Sequence, residues 1–145
     1  MASVLKVDSI TGVTTAGSIS VTGEGNSTTT NLQQGLLKAW VNFNGTGTIA
    51  VRESFNTSGI TDEGTGHYST SFTNALTNAD YVVAGTAMYS ASTNAHSISY
   101  GDTNGANGEQ PTSSRYEVLT SYVHSSSAAP QDCTRVQLQT SGDLA

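Results

Sequence analysis

A chain of 145 residues has room for one domain, or for one small domain and an arm. Ser, Thr, Asn and Gly supply 67 residues, while hydrophobic residues make up 35% and charged residues 11%; this mixture suits strands with polar outer faces and many turns, and disfavours long helices. The low charge and abundant Thr argue against general disorder, and a net charge of −6 with only Lys6, Lys38, Arg52, Arg115 and Arg135 as scattered cations argues against nucleic acid as a partner.

The first 30 residues hold no aromatic side chain and read as short β pieces punctuated by Gly12, Gly17, Gly23 and Gly25. Val4, Leu5, Val7 and Ile10 come first, then Ile19 and Val21, too few to enclose a core. Residues 1–30 read as an arm that docks on another chain, with Val4, Leu5, Val7 and Ile10 as its anchoring side chains, and a frayed terminus is the equal alternative. Residues 31–145 are expected to form the folded domain. "NLQQGLLKAW" is the single credible helical stretch, with Asn31 as N-cap and Gly35 limiting it to about two turns.

From Lys38 onward the pattern is β. Ala39, Val41 and Phe43 alternate with Lys38, Trp40 and Asn42, so the second set is expected to face away from the core. Asn44-Gly45 predicts a tight hairpin turn, after which Ile49, Val51 and Phe55 share one face and Arg52 and Ser54 the other. A second hairpin runs through Thr65-Gly66 into a strand where Tyr68, Thr70 and Phe72 alternate. Residues 80–90, "DYVVAGTAMYS", are apolar on both faces and predict a central strand. Strands at 96–100, 115–124 and 133–140 follow, with polar loops at 101–114 and 125–132. Seven or eight such strands predict an all-β fold, an antiparallel β-sandwich of jelly-roll type with an extended arm and one short helix.

Side chains able to do chemistry are few. His67, His96 and His124 lie far apart without ligand spacing, so solvated strand-end histidines are expected rather than a metal site. Asp102, Asn104 and Asn107 briefly imitate a calcium loop, but Ala106 stands at its fifth position and Ser113 at the twelfth, where the pattern needs a bidentate Glu. The segment reads as an exposed loop, with weak ion binding by Asp102 and Asn104 as the alternative. Asp62 and Glu63 are adjacent acids that would face opposite ways on a strand, unlike a glycosidase pair. No nucleophile elbow or phosphate-binding glycine loop occurs, so no enzyme activity and no cofactor are expected. Cys133 stands alone, which excludes an intrachain disulfide and reads as a small buried hydrophobe. Asn26, Asn44 and Asn56 head glycosylation triplets at the frequency chance gives in such a sequence. No signal-peptide core or membrane-spanning run is evident, so a soluble protein made in a cytoplasm is expected. The six tyrosines sit mostly in alternating strands and are expected to pack, though stacking on sugars is an alternative. Trp40 faces away from Val41 and Phe43 and is the best candidate for a subunit contact.

The segment "GLLKAWVNFNGTGTIAVRESFNTSGITDEGTGHYSTSFTNALTNADYVVAG", following "MASVLKVDSITGVTTAGSISVTGEG", resembles a module of virion structural proteins from tailed phages, chiefly marine and cyanobacterial. The likeness lies in residues 1–10 and 35–85 and is weak in the last third. It implies a non-enzymatic fibre or appendage subunit of the virion, a homotrimer attached to other virion proteins at its N-terminal end. The opposite end would meet a host-surface glycan or protein through the loop bearing Asp102, Asn104, Asn107 and Glu109. Capsid decoration and a free lectin-like module are the alternatives.

Overall fold

A computed structural model describes residues 4–12, 19–23, 25–26, 28–90, 95–100, 110–124 and 127–142. The chain divides into two compact units, Met1–Leu36 and Leu37–Ala145. In the first, β1 (Ser20–Thr22) pairs antiparallel with β2 (Thr29–Asn31), and residues 4–12 have no regular structure. The helix expected next is a single turn, α1 (Leu32–Gly35). Asn31 caps it as anticipated, its Oδ1 accepting the Gln34 N–H at 3.1 Å. Gly35 then ends it, since glycine costs about 1 kcal/mol against alanine in a helix.

The second unit is an antiparallel β-sandwich, in agreement with the fold class read from the sequence. Its strands are β3 (Ala39–Asn44), β4 (Ala50–Phe55), β5 (Thr57–Gly64), β6 (His67–Phe72), β7 (Val82–Met88), β8 (Ala95–Tyr100), β9 (Arg115–His124), β10 (Ser127–Pro130) and β11 (Arg135–Ser141). One sheet has the order β4-β3-β11-β7. The other is built on the long β9, which pairs with β6 over 115–119 and with β10 over 121–124. Because β8 pairs with residues 118–123 and overlaps both, it lies along the opposite edge of β9. β5 closes the sheet beyond β6.

The core lies between the sheets. Inward residues Ala39, Val41 and Phe43 of β3 and Val136 and Leu138 of β11 meet Tyr68 and Phe72 of β6 and Tyr116 and Val118 of β9. Aromatic contacts bind the layers: Phe43 meets Tyr68 edge-on at 5.1 Å, and Phe72 meets Tyr81 edge-on at 5.5 Å, geometries that add about 0.5–1.5 kcal/mol each to area burial. Cys133 is buried as expected, and burial pushes its thiol pKa up.

Five local expectations are corrected. Asn44-Gly45 does not form a two-residue turn; residues 45–49 separate the strands, and the positive φ falls at Gly47. Gly45 is needed for space instead, because any Cβ there would run into the Tyr68 hydroxyl. A bulge at Arg52 shifts the β3–β4 register, pairing Phe43 with Val51 but Trp40 with Phe55, so Val51 and Phe55 belong to opposite faces. Lys38 is buried rather than outward: it precedes the strand, its N–H donating to Thr140 O and its carbonyl accepting from Asn56 Nδ2. β7 is an edge strand with Val82 and Met88 exposed, and β10 occupies part of the segment read as loop.

Asn56 carries the chain from one sheet to the other between β4 and β5 in a single residue with φ 53°. Asparagine tolerates that left-handed conformation better than most residues. Its side chain also donates to Lys38 O at 3.0 Å and Asn74 O at 3.1 Å, and accepts Asn74 N–H at 2.7 Å. Replacing Asn56 by Ala is expected to cost about 2–4 kcal/mol through backbone strain and lost hydrogen bonds. Replacing it by Gly, which removes only the hydrogen bonds, is expected to cost less. Urea unfolding of both variants checks the order; a costlier Gly variant would refute the strain component.

Candidate functional site

The side chains singled out for chemistry do not converge. His67 Nε2 lies 2.9 Å from Glu117 Oε2, and Arg115 donates to the other carboxylate oxygen at 3.0 Å. This cluster holds a buried acid between an imidazole and a guanidinium on the outward side of β6 and β9. His96 pairs with Gln131 Oε1 at 2.9 Å, far along the sheet. Among the described residues no group of three or more His, Cys, Asp and Glu side chains could hold a metal ion. Asp62 and Glu63 are exposed on β5, and Asp62 Oδ1 accepts the Gly64 N–H. Asn44 and Asn56 use their side-chain amides in local hydrogen bonds. Asp102, Asn104, Asn107 and Glu109 lie outside the described residues. Val4, Leu5, Val7 and Ile10 are 54–80% exposed. Among the described residues no helix is long and apolar enough to cross a membrane.

Trp40 lies where strand alternation places it. Ala39, Val41 and Phe43 point into the core, so Trp40 and Asn42 stand on the outward face of the β4-β3-β11-β7 sheet. In β11 the same alternation buries Val136 and Leu138 and turns Gln137 and Gln139 outward. Cross-strand register aligns Phe55, Trp40, Gln139 and Ala84 in one row over all four strands. The neighbouring row is Glu53, Asn42, Gln137 and Thr86, where Thr86 Oγ1 donates to Gln137 Oε1 at 3.4 Å. Arg52, displaced by the bulge, reaches over the face to Asn42 Oδ1 at 3.4 Å and donates to Thr134 O at 2.7 Å. Between β3 and β7 the face dips into an open hollow of about 670 Å³. Leu37, Trp40, Asn42, Thr86, Gln137 and Gln139 contribute to its lining, which contains no charged side chain. Such a lining can bury apolar surface and exchange neutral hydrogen bonds; it offers no acid, base or nucleophile.

The tyrosines are mostly structural. Tyr68 and Tyr116 are almost fully buried and Tyr81 nearly so. The Tyr81 hydroxyl sits 2.9 Å from Thr112 O and 2.8 Å from Arg115 O. Two acids that the sequence reading did not single out have structural roles: Glu117 in the cluster above, and Asp132, whose Oδ1 accepts from the Gly66 N–H and lies 3.1 Å from the Tyr68 hydroxyl. No periodic signal marks Asp132, because it acts from a loop on residues more than 60 positions away. No protein-family model matches the chain, and no curated protein or solved structure matches it.

Burial pushes the Tyr116 pKa up to about 12 and drives those of Tyr68 and Tyr81 higher, with the Asp132 carboxylate adding to the effect at Tyr68. The folded values lie above the unfolded one of about 10, so this stabilisation is complete below about pH 10 and is lost as pH rises through the folded values. Alkaline titration is expected to show Tyr68, Tyr81 and Tyr116 forming phenolate only as the β-sheet circular dichroism collapses. Ionisation of all six tyrosines near the ordinary value with the fold intact would contradict this packing.

Proposed function

We propose that this protein is a non-enzymatic structural subunit of a tailed-phage virion, a homotrimeric fibre or appendage protein anchored through its N-terminal arm. The observation that carries the reading is the arm itself. Val4, Leu5, Val7 and Ile10 are exposed in a segment without regular structure, within a unit separate from the sandwich. Burying an aliphatic side chain yields about 1.5–3 kcal/mol, so four of them docked on another virion protein offset much of the cost of ordering the segment. An extended chain can also add to a partner's sheet edge through its backbone. The hydroxyl-rich, charge-poor sandwich and the phage-like wording of residues 1–10 and 35–85 support the same reading. Trp40 then serves as a subunit contact, and the loop with Asp102, Asn104, Asn107 and Glu109 meets the host surface.

Capsid decoration is the alternative within this class, and virion copy number separates the two: a few to a few dozen copies for an appendage, hundreds for a decorating subunit. A lectin-like reading is favoured by one observation, the indole and neutral amides lining the hollow at Trp40. A glycan array on purified protein tests it. For the main reading, deletion of residues 2–30 is expected to abolish incorporation into particles while leaving the sandwich folded. Normal incorporation of the shortened chain would refute anchoring by the arm. Replacement of loop 101–114 is expected to lower adsorption to host cells without reducing particle yield.

A further inference from the structure

We infer that the outward face of the β4-β3-β11-β7 sheet is the surface on which copies of this chain pack against one another. The inference rests on the proposed self-assembly but not on virion anchoring. It follows first from a contrast between the sandwich's two outward faces. On this sheet Phe55 is 55% exposed, Val82 67% and Met88 48%, beside Trp40 and Ala84. On the other sheet the outward positions include the hydroxyl residues Thr61, Ser69, Ser71, Ser97, Ser99 and Ser121 and the His67–Glu117–Arg115 cluster, with Ser69, Ser121 and Glu117 buried; its aliphatics are the half-buried Leu119 and the exposed Val123 at the strand end opposite Ala95. One sandwich thus has an outward face lined mainly by hydroxyls and an ion-pair cluster, and another enriched in the Trp, Phe, Met and Arg that mark subunit contacts.

Charge identifies the occupant. Copies of a chain with net charge −6 repel one another overall. The four strands of this sheet carry Arg52 and Arg135 against Glu53 alone, while β5 of the opposite sheet carries Asp62 and Glu63. Self-association through this sheet therefore brings together the part of the sandwich that is not acidic. The outward amides of Asn42, Gln137 and Gln139 both donate and accept, so each can meet the same residue type on another copy. Four strands of six or seven residues span roughly 20 Å by 20 Å, and the relief of the side chains and hollow carries that area toward the roughly 800 Å² that each partner contributes to a specific interface.

Trp40 is the chain's one tryptophan, so its fluorescence reports on this face alone. With the full chain, light scattering over a concentration series is expected to give a multiple of 14.9 kDa. Acrylamide quenching of Trp40 should fall severalfold as the assembly forms. Val82→Asp places an uncompensated charge in the contact and should weaken assembly by about a hundredfold or more, whereas Ser97→Asp on the other sheet should leave the mass unchanged. Should Val82→Asp fail to fold, the quenching comparison on the native chain still decides. A monomer at all concentrations would overturn the inference, as would an assembly whose Trp40 remains as quenchable as in the dissociated chain. So would a monomer whose Trp40 emission shifts only on adding a neutral oligosaccharide. An assembly through another face leaves arm anchoring intact, and failed arm anchoring leaves this interface intact.

Discussion

The sandwich depends on how Tyr68 is held. Its ring, on β6, packs edge-on against Phe43 of β3 and joins one sheet to the other. Its hydroxyl lies 3.2 Å from Gly45 O and 3.1 Å from Asp132 Oδ1, in the loops after β3 and before β11. Asp132 also accepts from Gly66, whose φ of 69° and tight contact with the Thr120 carbonyl leave no room for a side chain. Gly66 O in turn receives the Thr120 N–H of β9. A buried phenol without a partner costs several kcal/mol in an apolar interior. Here that requirement is met by two acceptors, Gly45 O and Asp132 Oδ1, and the Gly66 contacts tie Asp132 on to β9, so the two sheets are joined at one end of the sandwich.

Once the sheets are joined in this register, the outward faces are set. Phe43 and Val41 are committed to the core, so Trp40 has only the opposite side of β3 available. The bulge at Arg52 then brings Phe55 level with Trp40 and frees the guanidinium to lie over the same face. The asymmetry between an apolar outward face and a hydroxyl-rich one thus follows from the same packing that stabilises the fold. Among the described residues two carboxylates are engaged in structural contacts: Asp132 with Gly66 and Tyr68, Glu117 with His67 and Arg115.

Much of this was legible in the residues, and the gaps have physical reasons. Strand alternation located β3, β6, β9 and β11 and the outward direction of Trp40, because period-2 patterning is imposed locally wherever one face is buried. The Asn44-Gly45 pair misled: turn preference is weak against the demand of the Tyr68 hydroxyl for a residue without Cβ. "DYVVAGTAMYS" looked central because both of its faces are apolar, but one of those faces is exposed. Hydrophobic runs cannot distinguish a face covered by the same chain from one left for another.

The sequence by itself determined an all-β sandwich, its alternating core positions, a short helix capped at Asn31 and the outward placement of Trp40, since each depends on neighbours a few residues away. Tertiary structure decided the rest. It chose which strands lie at sheet edges, made Asp132 a partner of Tyr68, and aligned Phe55, Trp40, Gln139 and Ala84 across four strands. Those relations join residues tens of positions apart, and only the register of packed sheets brings them into contact.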